Sequence, residues 1–268
     1  MKNIAYRNSR QLPRALSALV CAVLLACIAP SMAAAAITSP SVVVRIDGSG
    51  PLDIPFTVNE VRPGIFEFKY EPSQSGEGNF TIIEGLTNFS LNATLDSDPS
   101  ISYGIAVTDF GTPSTFSFTF SVPIVPIGFP NVVSTSIAGA MVDLTGDGVS
   151  VAPVGVSAFL QVAELGAPSQ SFGDVGPAVS YPAGAQGALY TYGAFATGPA
   201  SGPGPGPWTS LSLRLDFTAS GNGDVVVLAG FASIVPEPTS GSLLFLGVLG
   251  LLASTRHRQY RPRGGSNV

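Results

Sequence analysis

Hydrophobic and polar residues alternate with a period of two through the middle of the chain, between residues 37 and 235. In residues 115–121 three phenylalanines fall on one face and hydroxyl side chains on the other, which predicts a half-buried strand. Residues 65–70, 210–217 and 224–228 alternate in the same way or are apolar enough for a more buried strand. Because no segment of this region keeps a period of 3.6 for three turns, the pattern predicts an all-β fold.

Glycine and proline interrupt these segments at short intervals, in a chain that contains 31 Gly and 23 Pro. The intervals predict about ten to twelve short strands joined by turns. We therefore expect residues 37–234 to form one antiparallel β-sandwich, jelly-roll-like in its topology. Residues 198–207, in which Gly and Pro alternate, are predicted to be an exposed loop of about ten residues.

Charged residues make up 11% of the chain, against about 25% in typical soluble domains. Residues 37–235 carry four basic side chains and sixteen carboxylates, a net charge of −12. This charge excludes a nucleic-acid partner, because phosphate binding needs clustered Lys and Arg. The one histidine, His257, and the two cysteines, Cys21 and Cys27, lie outside this region. Most chemistry that pairs a nucleophile with a base is thereby excluded, and the sequence predicts that the protein is not an enzyme.

The first 36 residues have the order of a secretory signal peptide. A basic stretch precedes an apolar one over residues 15–28, and small residues follow. This order predicts export, with cleavage after one of the residues from Ala33 to Ala36. Lipoprotein processing at Cys27 is one alternative, and an uncleaved membrane anchor is a second.

The C-terminal part of the chain reverses this order, from a proline-rich motif through an apolar run to basic residues. The predicted motif residues are Val235, Pro236, Glu237 and Pro238. The apolar run predicts a single membrane helix that contains Leu243, Leu244, Phe245, Leu246, Leu249, Leu251 and Leu252. Arg256 and Arg258 follow as a basic stop on the cytoplasmic side. Residues 235–263 thus form one predicted segment, and residues 264–268 are a tail.

The succession of Pro236, Glu237 and Pro238, a short apolar helix and an arginine-rich end resembles the PEP-CTERM sorting signal of Gram-negative bacteria that make exopolysaccharide. The resemblance covers residues 235–263 and implies recognition by an exosortase-like membrane enzyme. It further implies a protein held transiently in the inner membrane and then delivered to the cell surface or extracellular matrix, beside exopolysaccharide. The two prolines favour an extended peptide that a processing enzyme can reach.

A short acidic segment matches the first half of a calcium-binding loop. The predicted metal ligands are Asp143, Thr145 and Asp147. They place carboxylates at positions 1 and 5 of the loop and a hydroxyl at position 3, with Gly at position 6. The match ends at position 12, which is Val154, where an EF-hand has a bidentate Glu. A tight hairpin between residues 137–142 and 149–156 explains the same residues as a turn. No cofactor other than calcium is predicted.

Trp208, the only tryptophan, is a candidate for stacking on a sugar ring; alternatively it closes the core at the start of a strand. The leading hypothesis is an exported, non-enzymatic surface or matrix protein. The alternative is an extracellular module that binds carbohydrate or calcium. A secreted hydrolase with a carboxylate pair such as Glu67 and Glu84 is the third hypothesis.

Overall fold

The computed structural model describes residues 39–47, 50–54, 56–70, 87–155, 157–166, 170–204 and 206–237. These residues form an all-β fold of strands and turns, and the strand pairings among them are antiparallel. Because they contain no helix, they include none that could cross a membrane. The predicted signal peptide and the predicted membrane helix, with its basic stop, lie outside the described residues.

Fourteen strands lie within the described residues, rather more than the number predicted. They are β1 (Ser41–Ile46), β2 (Thr57–Arg62), β3 (Ile65–Tyr70), β4 (Thr87–Asp96), β5 (Ser100–Asp109), β6 (Thr115–Ile127), β7 (Asn131–Asp143), β8 (Gly148–Pro153), β9 (Gln161–Leu165), β10 (Gln170–Val175), β11 (Val179–Pro182), β12 (Ala188–Ser201), β13 (Trp208–Ala219) and β14 (Asp224–Pro236).

The strands form two sheets of seven strands each in this part of the chain. Sheet A has the order β1-β6-β13-β8-β11, and β9 pairs with both β13 and β10. Sheet B has the order β12-β7-β14-β5-β4-β3-β2. The strands β2 to β5 follow one another as a meander in sheet B, whereas from β6 onward the chain crosses repeatedly between the sheets. The jelly-roll topology stays a prediction.

The two sheets pack face to face through a core rich in aromatic rings. Phe116, Phe118 and Phe120 of β6 are fully buried, which confirms the strand face predicted from their spacing. Tyr103 of sheet B stacks on Phe120 with 5.1 Å between ring centroids. Phe89 of sheet B meets Phe118 edge to face at 5.8 Å. Such rings bury large apolar areas, so the contacts hold the sheets together.

The hairpin predicted between residues 137–142 and 149–156 is wrong. β7 lies in sheet B and β8 in sheet A, so the turn between them carries the chain from one sheet to the other. Gly146 and Gly148 have φ of 84° and 106° in this turn, a backbone conformation that glycine adopts at little cost. Alternation predicted both strands but not their partners, because it shows only which face of a strand is buried.

The loop predicted over residues 198–207 is shorter in the structure. β12 continues to Ser201, and Ala200 and Ser201 pair with β7 after an irregularity that follows Thr197. A proline is tolerated at position 199 because it lies inside this irregularity, between the paired residues Thr197 and Ala200, and because β12 is an edge strand.

The last strand, β14, runs two residues beyond the predicted end of the domain at residue 234. Val235 and Pro236 pair with the start of β7, and the Glu237 N–H donates to Pro130 O at 3.2 Å. β14 itself lies between β7 and β5 in the middle of sheet B. The predicted motif therefore begins inside the sheet.

Candidate functional site

Three aspartates from separate elements meet at one end of sheet B. Asp143 ends β7, Asp224 begins β14, and Asp147 lies in the turn that follows β7. One carboxylate oxygen of each lies within 4.8 Å of the others. Asp143 and Asp224 are buried, whereas Asp147 is exposed. We call these three residues the aspartate cluster.

Asp143 organises the turn between the two sheets. Its Oδ1 accepts a hydrogen bond from the Gly146 N–H at 2.6 Å, and its Oδ2 accepts one from the Gly148 N–H at 2.9 Å. Buried polar backbone groups need such partners, and an aspartate that bonds to N–H groups a few residues ahead supplies them. The predicted turn chemistry of this segment is thus present, although it joins two sheets.

Asp224 brings a second loop to the same place. Its Oδ1 accepts from the Leu144 N–H at 3.3 Å, and its Oδ2 accepts from the Ser220 hydroxyl. Burial raises the pKa of Asp224, and the negative charges of Asp143 and Asp147 add to that rise, partly offset by the two hydrogen bonds.

The pKa of Asp147 shifts in the opposite direction to that of Asp224. The hydroxyl of Thr145 donates to its Oδ1, and Asn222 Nδ2 donates to its Oδ2 at 2.7 Å. These two hydrogen bonds stabilise the charged form and lower the pKa of Asp147. Thr145, a predicted metal ligand, uses its hydroxyl proton on this neighbouring carboxylate.

The geometry of the aspartate cluster suits two roles, cation binding and loop capping. Its oxygens are close enough to hold a divalent cation such as calcium, which prefers oxygen ligands. The same carboxylates also cap loops, as does Asp109, the register partner of Asp224, whose Oδ2 accepts from the Ser114 N–H at 2.8 Å. Asp109 and Asp143 are fully buried, so their carboxylate oxygens are shielded from water and accept hydrogen bonds from backbone N–H groups instead.

Asp224 was missed by the sequence analysis. It lies 80 residues beyond Leu144, to which it bonds, and only the pairing of β14 with β7 brings the two together. Its one sequence signal is its place just after a Gly-Asn-Gly turn, where an aspartate often accepts local N–H bonds.

A second candidate site is a groove of about 430 Å³ on the outer face of sheet B. Four adjacent strands, β3, β4, β5 and β14, contribute to it. The outward side chains that line it are Glu67, Lys69, Asn92, Thr94, Ser102 and Ala229, with Gly104 among them. We call it the outer groove. Among these lining residues Glu67 is the one carboxylate, and its predicted partner Glu84 lies outside the described residues.

Trp208 is half-buried at the start of β13. Its Nε1–H donates to Pro203 O at 3.0 Å, and its ring lies over Gly166, where an added Cβ would come within 2.5 Å of it. The ring also packs against the main hydrophobic core. These contacts match the alternative in which Trp208 closes the core, and its sugar-stacking role stays a prediction.

The predicted sorting residues fall partly within the structure. Val235 and Pro236 are exposed at the end of β14, and Glu237 follows them. Pro238, the predicted helix and Arg256 and Arg258 lie outside the described residues.

The chain matches no protein-family model and no curated protein. It is similar to the solved structure of the carbohydrate-binding module TmCBM61 in complex with β-1,4-galactotriose. That similarity has 10% identity and a TM-score of 0.24, and it covers 68% of this chain and 89% of that one. It is also similar to the enzymatically active domain of tailspike protein 4 of bacteriophage CBA120. There the identity is 9% and the TM-score 0.24, with 72% of this chain and 19% of that one covered. Similarity at this level identifies neither a family nor a function.

Proposed function

We propose that the chain is an exported, non-catalytic protein of the cell surface or extracellular matrix, sorted through its C-terminal segment by an exosortase-like enzyme. The order of the terminal segments carries the proposal: a signal peptide, a β-domain, the motif from Val235 to Pro238, an apolar run and Arg256 with Arg258. Each segment is common alone, but their order is that of a protein exported and then held at a membrane.

The position of the C-terminal end of the β-domain supports this proposal. Pro236, at the end of β14, pairs with Asn131 at the start of β7, which follows the end of β6 directly. The segment that follows Pro236 therefore leaves the domain at the end of the sandwich where β6 passes into β7. The aspartate cluster lies at the opposite end, where β7 ends and β14 begins.

Replacement of the motif and of the basic stop tests the sorting proposal. We expect Glu237→Gln and the double variant Arg256→Gln/Arg258→Gln, expressed in the native host, to keep the full mass of the unprocessed tail and to stay with the inner membrane. Asp98→Asn, a change of an exposed carboxylate in the turn after β4, is the matched control and should be processed normally. Normal mass and location of both variants would overturn the proposal.

For the folded domain we propose carbohydrate binding, either directly or with calcium at the aspartate cluster. The outer groove is the observation that favours it, because hydroxyl, amide and charged side chains converge there on a floor of small residues. Calorimetry of the exported chain with the polysaccharide of its host, with and without calcium, tests it. Heat and a thermal shift are expected; their absence in both conditions would overturn this activity and leave the sorting proposal untouched.

A further inference from the structure

The side chains of the outer groove form two parallel rows across sheet B. The register places Lys69, Asn92, Gly104 and Ala229 in the first row. It places Glu67, Thr94 and Ser102 in the second, and Phe231, which does not itself line the groove, continues that row on β14. Neighbouring strands lie about 4.8 Å apart, so each row extends about 14 Å from β3 to β14. Polar side chains occupy the β3 and β4 end of both rows, and small or apolar ones the β14 end.

Gly104 lets the side chain of its register partner Asn92 lie flat across the floor of the groove. Glycine inside a strand weakens it and often marks a place where another group approaches the backbone closely. A Cβ at position 104 would lie 2.7 Å from Asn92 Oδ1, so the Asn92 amide now lies over the space that a side chain would fill. Ala229, the other register partner of Gly104, adds only a methyl group to the floor.

The groove combines the two kinds of contact that a sugar ring requires. Hydroxyl and amide groups of Thr94, Ser102 and Asn92 donate and accept hydrogen bonds. Phe231, next to Ser102 in its row, has 37% of its surface exposed although it lies in the centre of sheet B. An exposed ring beside hydroxyl groups offers an apolar face to the C–H side of a sugar.

Charge and backbone pairing decide between classes of ligand. Glu67 and Lys69 balance one another in the groove, and residues 37–235 carry a net charge of −12, so an anionic polymer would be repelled. A peptide cannot add as a strand here, because β4 and β5 are paired on both sides within sheet B. A neutral polymer rich in hydroxyl groups meets neither obstacle.

We propose that the outer groove binds a short stretch of neutral polysaccharide, which lies on Ala229 and on the Asn92 amide that covers Gly104. A sugar ring packs against Phe231, and its hydroxyls bond to Asn92 and Ser102. This inference rests on the proposed carbohydrate-binding function and assigns its site and its ligand class.

Affinity electrophoresis of the exported chain provides the test. Each gel contains one polymer: a neutral one (soluble β-glucan, galactan, mannan or dextran) or an anionic one (alginate or heparin). Gly104→Val fills the floor with a side chain suited to a strand, and the atom it meets is the flexible amide of Asn92, so the variant should fold. Phe231→Leu removes the ring and keeps an apolar side chain. Ala194→Val, an exposed position two strands from Ala229 on the same sheet, is the matched control.

We expect the unmodified chain to bind at least one neutral polysaccharide and neither anionic one. Gly104→Val should lower that affinity at least tenfold and Phe231→Leu severalfold, with unfolding temperatures showing that both are folded, while Ala194→Val should bind as the unmodified chain does. Neutral-glycan binding that survives Gly104→Val would overturn the groove and leave carbohydrate binding standing. Binding of the anionic polymers alone would overturn the groove with its neutral ligand and leave carbohydrate binding standing. Binding of none of these polysaccharides would overturn carbohydrate binding and the groove together.

Discussion

The Tyr103 hydroxyl in sheet B donates a hydrogen bond of 2.7 Å to Gln161 Oε1 in sheet A, across the middle of the sandwich. Both side chains are buried. Gln161 Nε2 in turn donates to Thr135 Oγ1 at 2.6 Å, which returns the network to sheet B. Gly230 leaves room for it, because a Cβ there would come within 2.4 Å of both Tyr103 and Gln161. A polar link thus fixes the two apolar faces relative to one another.

Loss of the Tyr103 hydroxyl should destabilise the domain. Tyr103→Phe leaves Gln161 Oε1 buried without this donor, and we expect the free energy of unfolding to fall by about 1–3 kcal/mol. Tyr181→Phe is the control, since the Tyr181 hydroxyl donates to Thr191 O at an exposed site, and it should cost less than about 1 kcal/mol. Urea unfolding followed by Trp208 fluorescence measures both. Equal losses in the two variants would contradict the linking role of Tyr103.

Neutralising Asp224 should change how stability depends on pH. Because the pKa of Asp224 is raised in the folded protein, its contribution is fully present below the unfolded value, about 3.9, and is lost as pH rises through the folded value. In Asp224→Asn the amide oxygen still accepts from Leu144 N–H and the amide nitrogen donates to Ser220 Oγ. With a chelator present, we expect the variant to gain stability relative to the unmodified chain as pH rises from about 4 to 7.

The unmodified chain and Asp224→Asn also distinguish cation binding from loop capping by the aspartate cluster. A calcium titration that raises the unfolding temperature of the unmodified chain, and not that of Asp224→Asn, assigns a cation site to Asp143, Asp147 and Asp224. No rise in either protein leaves these residues as loop caps. A pH profile identical in the two proteins would contradict the raised pKa of Asp224.

Gly139 in β7 should tolerate no side chain. A Cβ there would lie 2.2 Å from Val227 O, a backbone atom of the neighbouring strand that cannot move without disturbing sheet B. We expect Gly139→Ala to lower the free energy of unfolding by about 1–3 kcal/mol. Gly128→Ala, where nothing lies within 4 Å of an added Cβ, is the control and should be neutral within about 1 kcal/mol. Thermal unfolding of both variants checks this prediction. Equal midpoints would contradict it.

Trp208→Phe should affect stability and not ligand binding. It removes the hydrogen bond to Pro203 O and keeps an aromatic ring over Gly166, so we expect a loss of about 1 kcal/mol. Affinity for the neutral polysaccharide bound by the unmodified chain should be unchanged, because Trp208 lies in sheet A whereas the outer groove is on sheet B. A tenfold loss of affinity would move the ligand site to Trp208.

Local pattern was sufficient to predict the buried face of β6. The spacing of Phe116, Phe118 and Phe120 determines which face of β6 is buried, because successive side chains of a strand point to opposite sides. It did not show that β6 lies between β1 and β13, so that its backbone is paired on both sides. The same limit produced the wrong hairpin: the residues of β7 and β8 predict two strands and a turn, and only packing places them in different sheets.

The sequence by itself determined the all-β class, the acidic charge of the domain and the order of segments along the chain. Charge and order are read directly from the chain, and the period of two that indicates strands depends only on neighbouring residues. Tertiary structure alone decided which distant residues meet. Asp224 joins Asp143 through the pairing of β14 with β7, and Asn92, Gly104 and Ala229 share one row because three strands align in register. Strand register depends on contacts between residues far apart in the chain, which a local period does not contain.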